Sequence, residues 1–80
     1  MYTPENIAEL EVLMQFDLST SQVGIKIHKE ADPGLIAAAH RLYENHFITQ
    51  DDGGYLTSLG REAAEHAQAL FMLLNPNSQA

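Results

Sequence analysis

The sequence predicts a mainly α domain with one small β-hairpin, in the order helix, helix, helix, hairpin, helix. Three observations carry this. Thr3-Pro4, Asp32-Pro33 and Thr57-Ser58 each place a capping side chain ahead of a helix-forming run, two β-prone runs flank Gln50-Asp51-Asp52-Gly53-Gly54, and a long apolar-rich run stops ahead of Asn75-Pro76.

Thr3 can cap free amides, Pro4 suits the first helical position and Glu5 complements the helix dipole, so a first helix is expected over about residues 4–16. Ile7, Leu10, Met14 and Leu18 form one apolar face with Leu13 at its edge, and Ala8, Val12 and Phe16 form a second. One face alone would serve a small core. Ser19 with Gln22 three residues on reads as a capping box that opens a second helix near residue 20. The alternation Val23, Ile25, Ile27 suits a half-buried strand equally well. Helix is preferred because Asp32-Pro33 and the run from Leu35 to Tyr43 then supply a third helix over about residues 33–45, with Leu35, Ala39, Leu42 and Tyr43 inward.

Phe47-Ile48-Thr49 and Tyr55-Leu56 around an Asp-Gly-Gly turn make the hairpin. Thr57 caps a last helix over about residues 58–74, which ends because the residue before Pro76 disfavours helical geometry. Leu59, Ala63, Ala67, Leu70 and Leu74 are expected to face the core, with Arg61, Glu62, Glu65 and Gln68 opposite, and the segment after Asn75 is expected to fray. The reading is one domain over residues 1–80, ordered from about 3 to 74.

The chain has 80 residues, which limits it to about 60% burial of its unfolded surface, and no cysteine, which removes disulfides, thiolate metal sites and cysteine nucleophiles. With no charged leader and no membrane-length apolar run, a cytoplasmic protein is expected. Net charge is −7, which opposes phosphate backbones at long range. The charge is uneven. Residues 19–49 balance three acids against Lys26, Lys29 and Arg41, whereas the flanks are acidic.

Helix, helix, helix, hairpin, helix is the grammar of a winged helix-turn-helix. Arg41-Leu42-Tyr43-Glu44-Asn45-His46-Phe47-Ile48 resembles the end of the recognition helix in MarR-type regulators, and Leu56-Thr57-Ser58-Leu59-Gly60-Arg61 resembles the segment after their wing. Over about residues 3–74 the chain is also similar to a family of short, uncharacterised bacterial proteins labelled DNA-binding by analogy. That similarity runs through Gly24-Ile25-Lys26, His28, Ala31-Asp32-Pro33, Asp52-Gly53-Gly54-Tyr55-Leu56-Thr57 and Glu62-Ala63-Ala64-Glu65-His66-Ala67. Two departures stand out. His46 replaces the usual helix-ending glycine, and the wing carries Asp51 and Asp52 in place of an arginine.

The resemblance implies a small transcriptional regulator whose third helix reads weakly held, salt-sensitive duplex DNA. The candidate contacts are Lys26, Lys29, Ala37, His40 and Arg41. The surplus apolar residues Val12, Phe16, Phe71, Met72 and Leu73 are the candidate interface of a homodimer. The alternative is a protein-interaction adaptor that uses the acidic flanks and the apolar first and last helices. No catalytic constellation, cofactor motif or third metal ligand accompanies the pairs Glu62/His66 and His40/Glu44, so neither enzyme activity nor a metal or cofactor is expected.

Overall fold

The computed structural model describes residues 1–79. Helix α1 spans Pro4–Leu13, opened by a reciprocal cap in which Thr3 Oγ1 accepts the Asn6 N–H at 3.0 Å and Asn6 Oδ1 accepts the Thr3 N–H at 3.3 Å. It is shorter than the sequence predicts, because Gln68 closes it from outside. The Gln68 amide donates to the carbonyls of Leu13 at 3.2 Å and Phe16 at 2.8 Å, satisfying backbone that a further helical turn would have used.

The helix expected near residue 20 is absent. Asp17 Oδ1 accepts both the N–H of Ser19 at 2.9 Å and its hydroxyl at 2.6 Å, and Thr20 Oγ1 accepts the Gln22 N–H at 3.0 Å. Short polar side chains here bind local backbone as turns, so the Ser19 capping box never forms. The period-2 alternative prevails: strand β1 covers Ile25–Lys26 and Ile27 is buried.

Helix α2 spans Pro33–Glu44, with Asp32 Oδ2 accepting the Gly34 N–H at 2.9 Å. It ends in a Schellman arrangement: the Phe47 N–H reaches the Leu42 carbonyl at 2.9 Å, and the His46 N–H reaches the Tyr43 carbonyl at 3.1 Å. His46 itself takes the left-handed conformation, φ 67°, that a glycine would occupy more readily.

Strands β2 (Ile48–Gln50) and β3 (Gly53–Leu56) form the hairpin, and β1 completes an antiparallel sheet of order β1-β3-β2. The turn sits on Asp51-Asp52, one step earlier than the expected Asp-Gly-Gly, and both glycines belong to β3. Ile48 pairs with Leu56 and Gln50 with Gly53, so β3 carries one extra residue. Gly54, at φ 71°, accommodates this bulge, and Thr49 Oγ1 accepts the Tyr55 N–H at 2.9 Å beside it.

Helix α3 spans Ser58–Leu74, as expected, and Pro76–Gln79 form a 3₁₀ turn where fraying was expected. The result is a small α+β fold of three helices and one three-stranded sheet. No helix among the described residues is long and apolar enough to cross a membrane.

The core departs from two expected faces. Val12 (0% exposed) and Phe16 (4%) are buried with Leu13, Leu42, Ile48 and Ala64, so Val12 and Phe16 belong to the chain's own core and are not an interface. Ile7 is exposed, and Leu10 and Met14 are only half-buried. On α3 the buried positions are Gly60, Ala64 and Ala67, whereas Leu59, Leu70 and Leu74 are open. On α2, Ala38 is buried with Ala39 and Leu42, and Tyr43 is exposed. Both sides of α1 are apolar, so periodicity alone could not select the inward one.

Candidate functional site

Two surfaces are open to partners, and the first is the outer side of α2 with the hairpin turn. Lys26 on β1, Lys29 in the following turn and Ala37 on α2 are all exposed, as a reading surface requires. Lys26 and Lys29 make no ion pair among the described residues and line a cleft of about 530 Å³ whose floor includes Ile27, Ile36 and Ala39. Glu30, Asp51 and Asp52 line the same cleft, Asp52 through its carbonyl accepting the Ile27 N–H at 2.7 Å. Cations and carboxylates therefore share the cleft.

Arg41 is not on this surface. Its Nε donates to Glu9 Oε2 at 2.7 Å and its Nη2 to the Glu5 carbonyl at 3.3 Å, so the guanidinium braces α2 against α1. The outward position expected from helix periodicity failed because a long side chain at the edge of the face can turn toward a neighbouring acidic helix. His40 is exposed but held. Nδ1 meets Asp51 on the hairpin turn and Nε2 meets Glu44 at 3.4 Å.

A neutral imidazole carries one N–H, so two facing carboxylates favour the doubly protonated ring. The hydrogen bond that the ring donates to Asp51 raises the His40 pKa from its ordinary 6.5, and the charges of Glu44 and Asp51 add to it. When protonated, His40 ties α2 to the hairpin through both carboxylates.

The fourth base, Arg61, is also engaged, donating to the carbonyls of Leu18 at 3.0 Å and Thr20 at 3.2 Å. Together with Gln68 it secures the 14–20 connection. The sequence placed both residues on a solvent face, and only the tertiary path of that connection reveals their role.

The second surface is apolar. The last buried residue of α3 is Ala67, and beyond it Leu70, Phe71, Met72, Leu73 and Leu74 are all exposed, Leu73 by 78% and Leu74 by 71%. Against α1 one side of this segment bounds a groove of about 500 Å³, with Tyr2, Ile7, Leu10 and Met14 on one wall and Ala67, Leu70, Phe71 and Leu74 on the other. The second wall has the i, i+3, i+4, i+7 spacing of one helix face. Glu11 is the only charged side chain lining the groove. Phe71, Met72 and Leu73 are exposed, as the sequence expected of an interface, but only Phe71 lines the groove, and its companions across it come from the opposite side of α1.

The fold and its surfaces thus define a small α+β domain with a mixed-charge cleft at one side and an apolar groove at another. The chain belongs to DUF5669, a family of unknown function whose model matches residues 1–75. No curated protein and no solved structure matches it.

Proposed function

We propose that this chain is a protein-interaction module of winged-helix type that works through the apolar α1/α3 groove. The observation that carries the reading is the run Leu70–Leu74, five successive large apolar residues left open on a domain that has little core to begin with. The winged-helix reading is supported by the hairpin that follows α2 and by β1 beside β3, with a turn at residues 28–31 standing where a full helix-turn-helix has its first helix. In this reading His40 steadies the wing, and the acidic flanks keep the domain soluble around its apolar groove.

DNA recognition is the second reading, favoured by the unpaired Lys26 and Lys29 on one side of the molecule. It is the weaker one, because Arg41 and Arg61 are engaged inside the fold and Glu30, Asp51 and Asp52 line the same cleft as the two lysines. Two phosphate contacts give a salt slope no steeper than about −2 in log affinity per chain.

A photo-crosslinking residue placed at Leu73 or at Ala37 in growing cells separates the readings. The module reading expects protein adducts from position 73 and none from position 37, with no retardation of duplex DNA by purified protein at about 50 mM salt. Adducts to DNA from position 37, with retardation that fades as salt rises, would reverse the assignment.

A further inference from the structure

We infer that the occupant of the α1/α3 groove is a second copy of this chain, joined about a two-fold axis with the C-terminal halves of α3 antiparallel. The inference rests on the module reading, and three observations on this face point to a copy.

The first is charge. A chain of net charge −7 repels itself wherever its acids meet, yet after Glu65 the sequence contains no Asp, Glu, Lys or Arg. Leu70, Phe71, Leu73 and Leu74 therefore lie in the one long stretch that two such chains can bring together without juxtaposing like charges. Glu11, across the groove on α1, is the single charged residue at its lining.

The second is self-complementarity. Leu74 stands clear of the molecule on the face that opens the groove between α1 and α3, and the exposed Leu73 flanks it. A two-fold interface requires one patch to carry both the projection and the recess, so that each copy fills the other. Here the projection and the recess adjoin along a single helix.

The third is area. Tyr2, Ile7, Leu70, Phe71, Leu73 and Leu74 leave on the order of 600 Å² of mostly apolar side chain open, most of the roughly 800 Å² each partner contributes to a standard interface. The hairpin and the Lys26/Lys29 cleft stay outside this contact.

Sedimentation of the full chain between about 1 and 100 µM tests the proposal. The wild type is expected to be a dimer whose affinity holds or rises with added salt, because the contact holds no ion pair to weaken while the repulsion among Glu11 and the acidic flanks is screened. Leu74→Glu alters a groove-lining side chain that is already exposed, so the monomer fold should keep its helical circular dichroism. Symmetry places that carboxylate in the interface twice, and dissociation should become easier by roughly a hundredfold or more. A wild type that stays monomeric at about 100 µM overturns the inference, as does a dimer that survives both Leu73→Glu and Leu74→Glu. If crosslinking at position 73 then yields adducts to a different protein, the module reading stands and the second copy does not.

Discussion

The two ends of α3 are built on opposite terms. At its start, Thr57 Oγ1 accepts the Gly60 N–H at 3.0 Å while its hydroxyl donates to the His46 carbonyl at 2.6 Å, and the Thr57 N–H reaches the Phe47 carbonyl at 3.1 Å. Gly60 packs so closely on the α2–β2 junction that a Cβ would overlap the Phe47 carbonyl. Arg61 then anchors the loop that follows α1. At the other end, the last two turns project five apolar side chains past the final core residue, Ala67. The first end is specified from within the chain, and the second leaves its large apolar side chains exposed.

This contrast can be broken most directly at Gly60. Gly60→Ala forces backbone against backbone, so it should cost about 3 kcal/mol or more and abolish folding in so small a domain, read by denaturant unfolding. A loss below about 1 kcal/mol would mean that the junction yields and the interlocked end is looser than its geometry. Thr57→Ala removes a cap and a bond to the α2–β2 junction, and a loss of about 1–2 kcal/mol is expected in the same assay. His46→Gly should move stability the other way by about 0.5–1 kcal/mol, since glycine takes the left-handed conformation without the Cβ clash. If His46→Gly destabilises the protein, then the side chain has a role beyond ending α2.

Leu73→Ser sharpens the other side. It should change the stability of the isolated monomer, measured at high dilution, by no more than about 0.5 kcal/mol, the range of an ordinary surface substitution. A larger loss would place Leu73 in the chain's own core and erase the difference between the two ends.

The smallest effect concerns the tie between His40, Asp51 and Glu44. Its folded pKa lies above the ordinary 6.5, so the stabilisation is present below that value and is lost as pH rises through the folded pKa. The melting temperature of the wild type should exceed that of His40→Ala at mildly acidic pH, and the gap should close under alkaline conditions. A gap that widens with pH would contradict the assignment of His40 as an imidazolium between two carboxylates.

What could be read from the sequence follows the range of the interactions. Thr3, Asp32 and Thr57 cap helices through atoms two or three residues away, so those three starts were legible. The stop at Asn75-Pro76 and the hairpin were legible for the same local reason, apart from a one-residue displacement of the turn onto Asp51-Asp52. Residues 17–22 misled because Ser19 and Thr20 serve turns as readily as caps, and only the pairing of Ile25 with Gly54 decides between them. The candidate surfaces were half legible. Lys26, Lys29, Ala37 and the Phe71–Leu73 segment are open as expected. Arg41 turned to Glu9, and the two apolar sides of α1 exchanged roles, because both outcomes depend on which neighbour arrives across more than thirty residues of chain.

Gln68 and Arg61 close the 14–20 connection across 52 and 43 residues, from Gln68 to Phe16 and from Arg61 to Leu18. A nascent chain released before Arg61 therefore has its first helix and its connection to β1 but neither of the two donors that fix them. Such fragments should be protease-sensitive throughout, and the domain should gain its protection in one late step once α3 has emerged, because contacts this distant in sequence form only when nearly the whole chain is present.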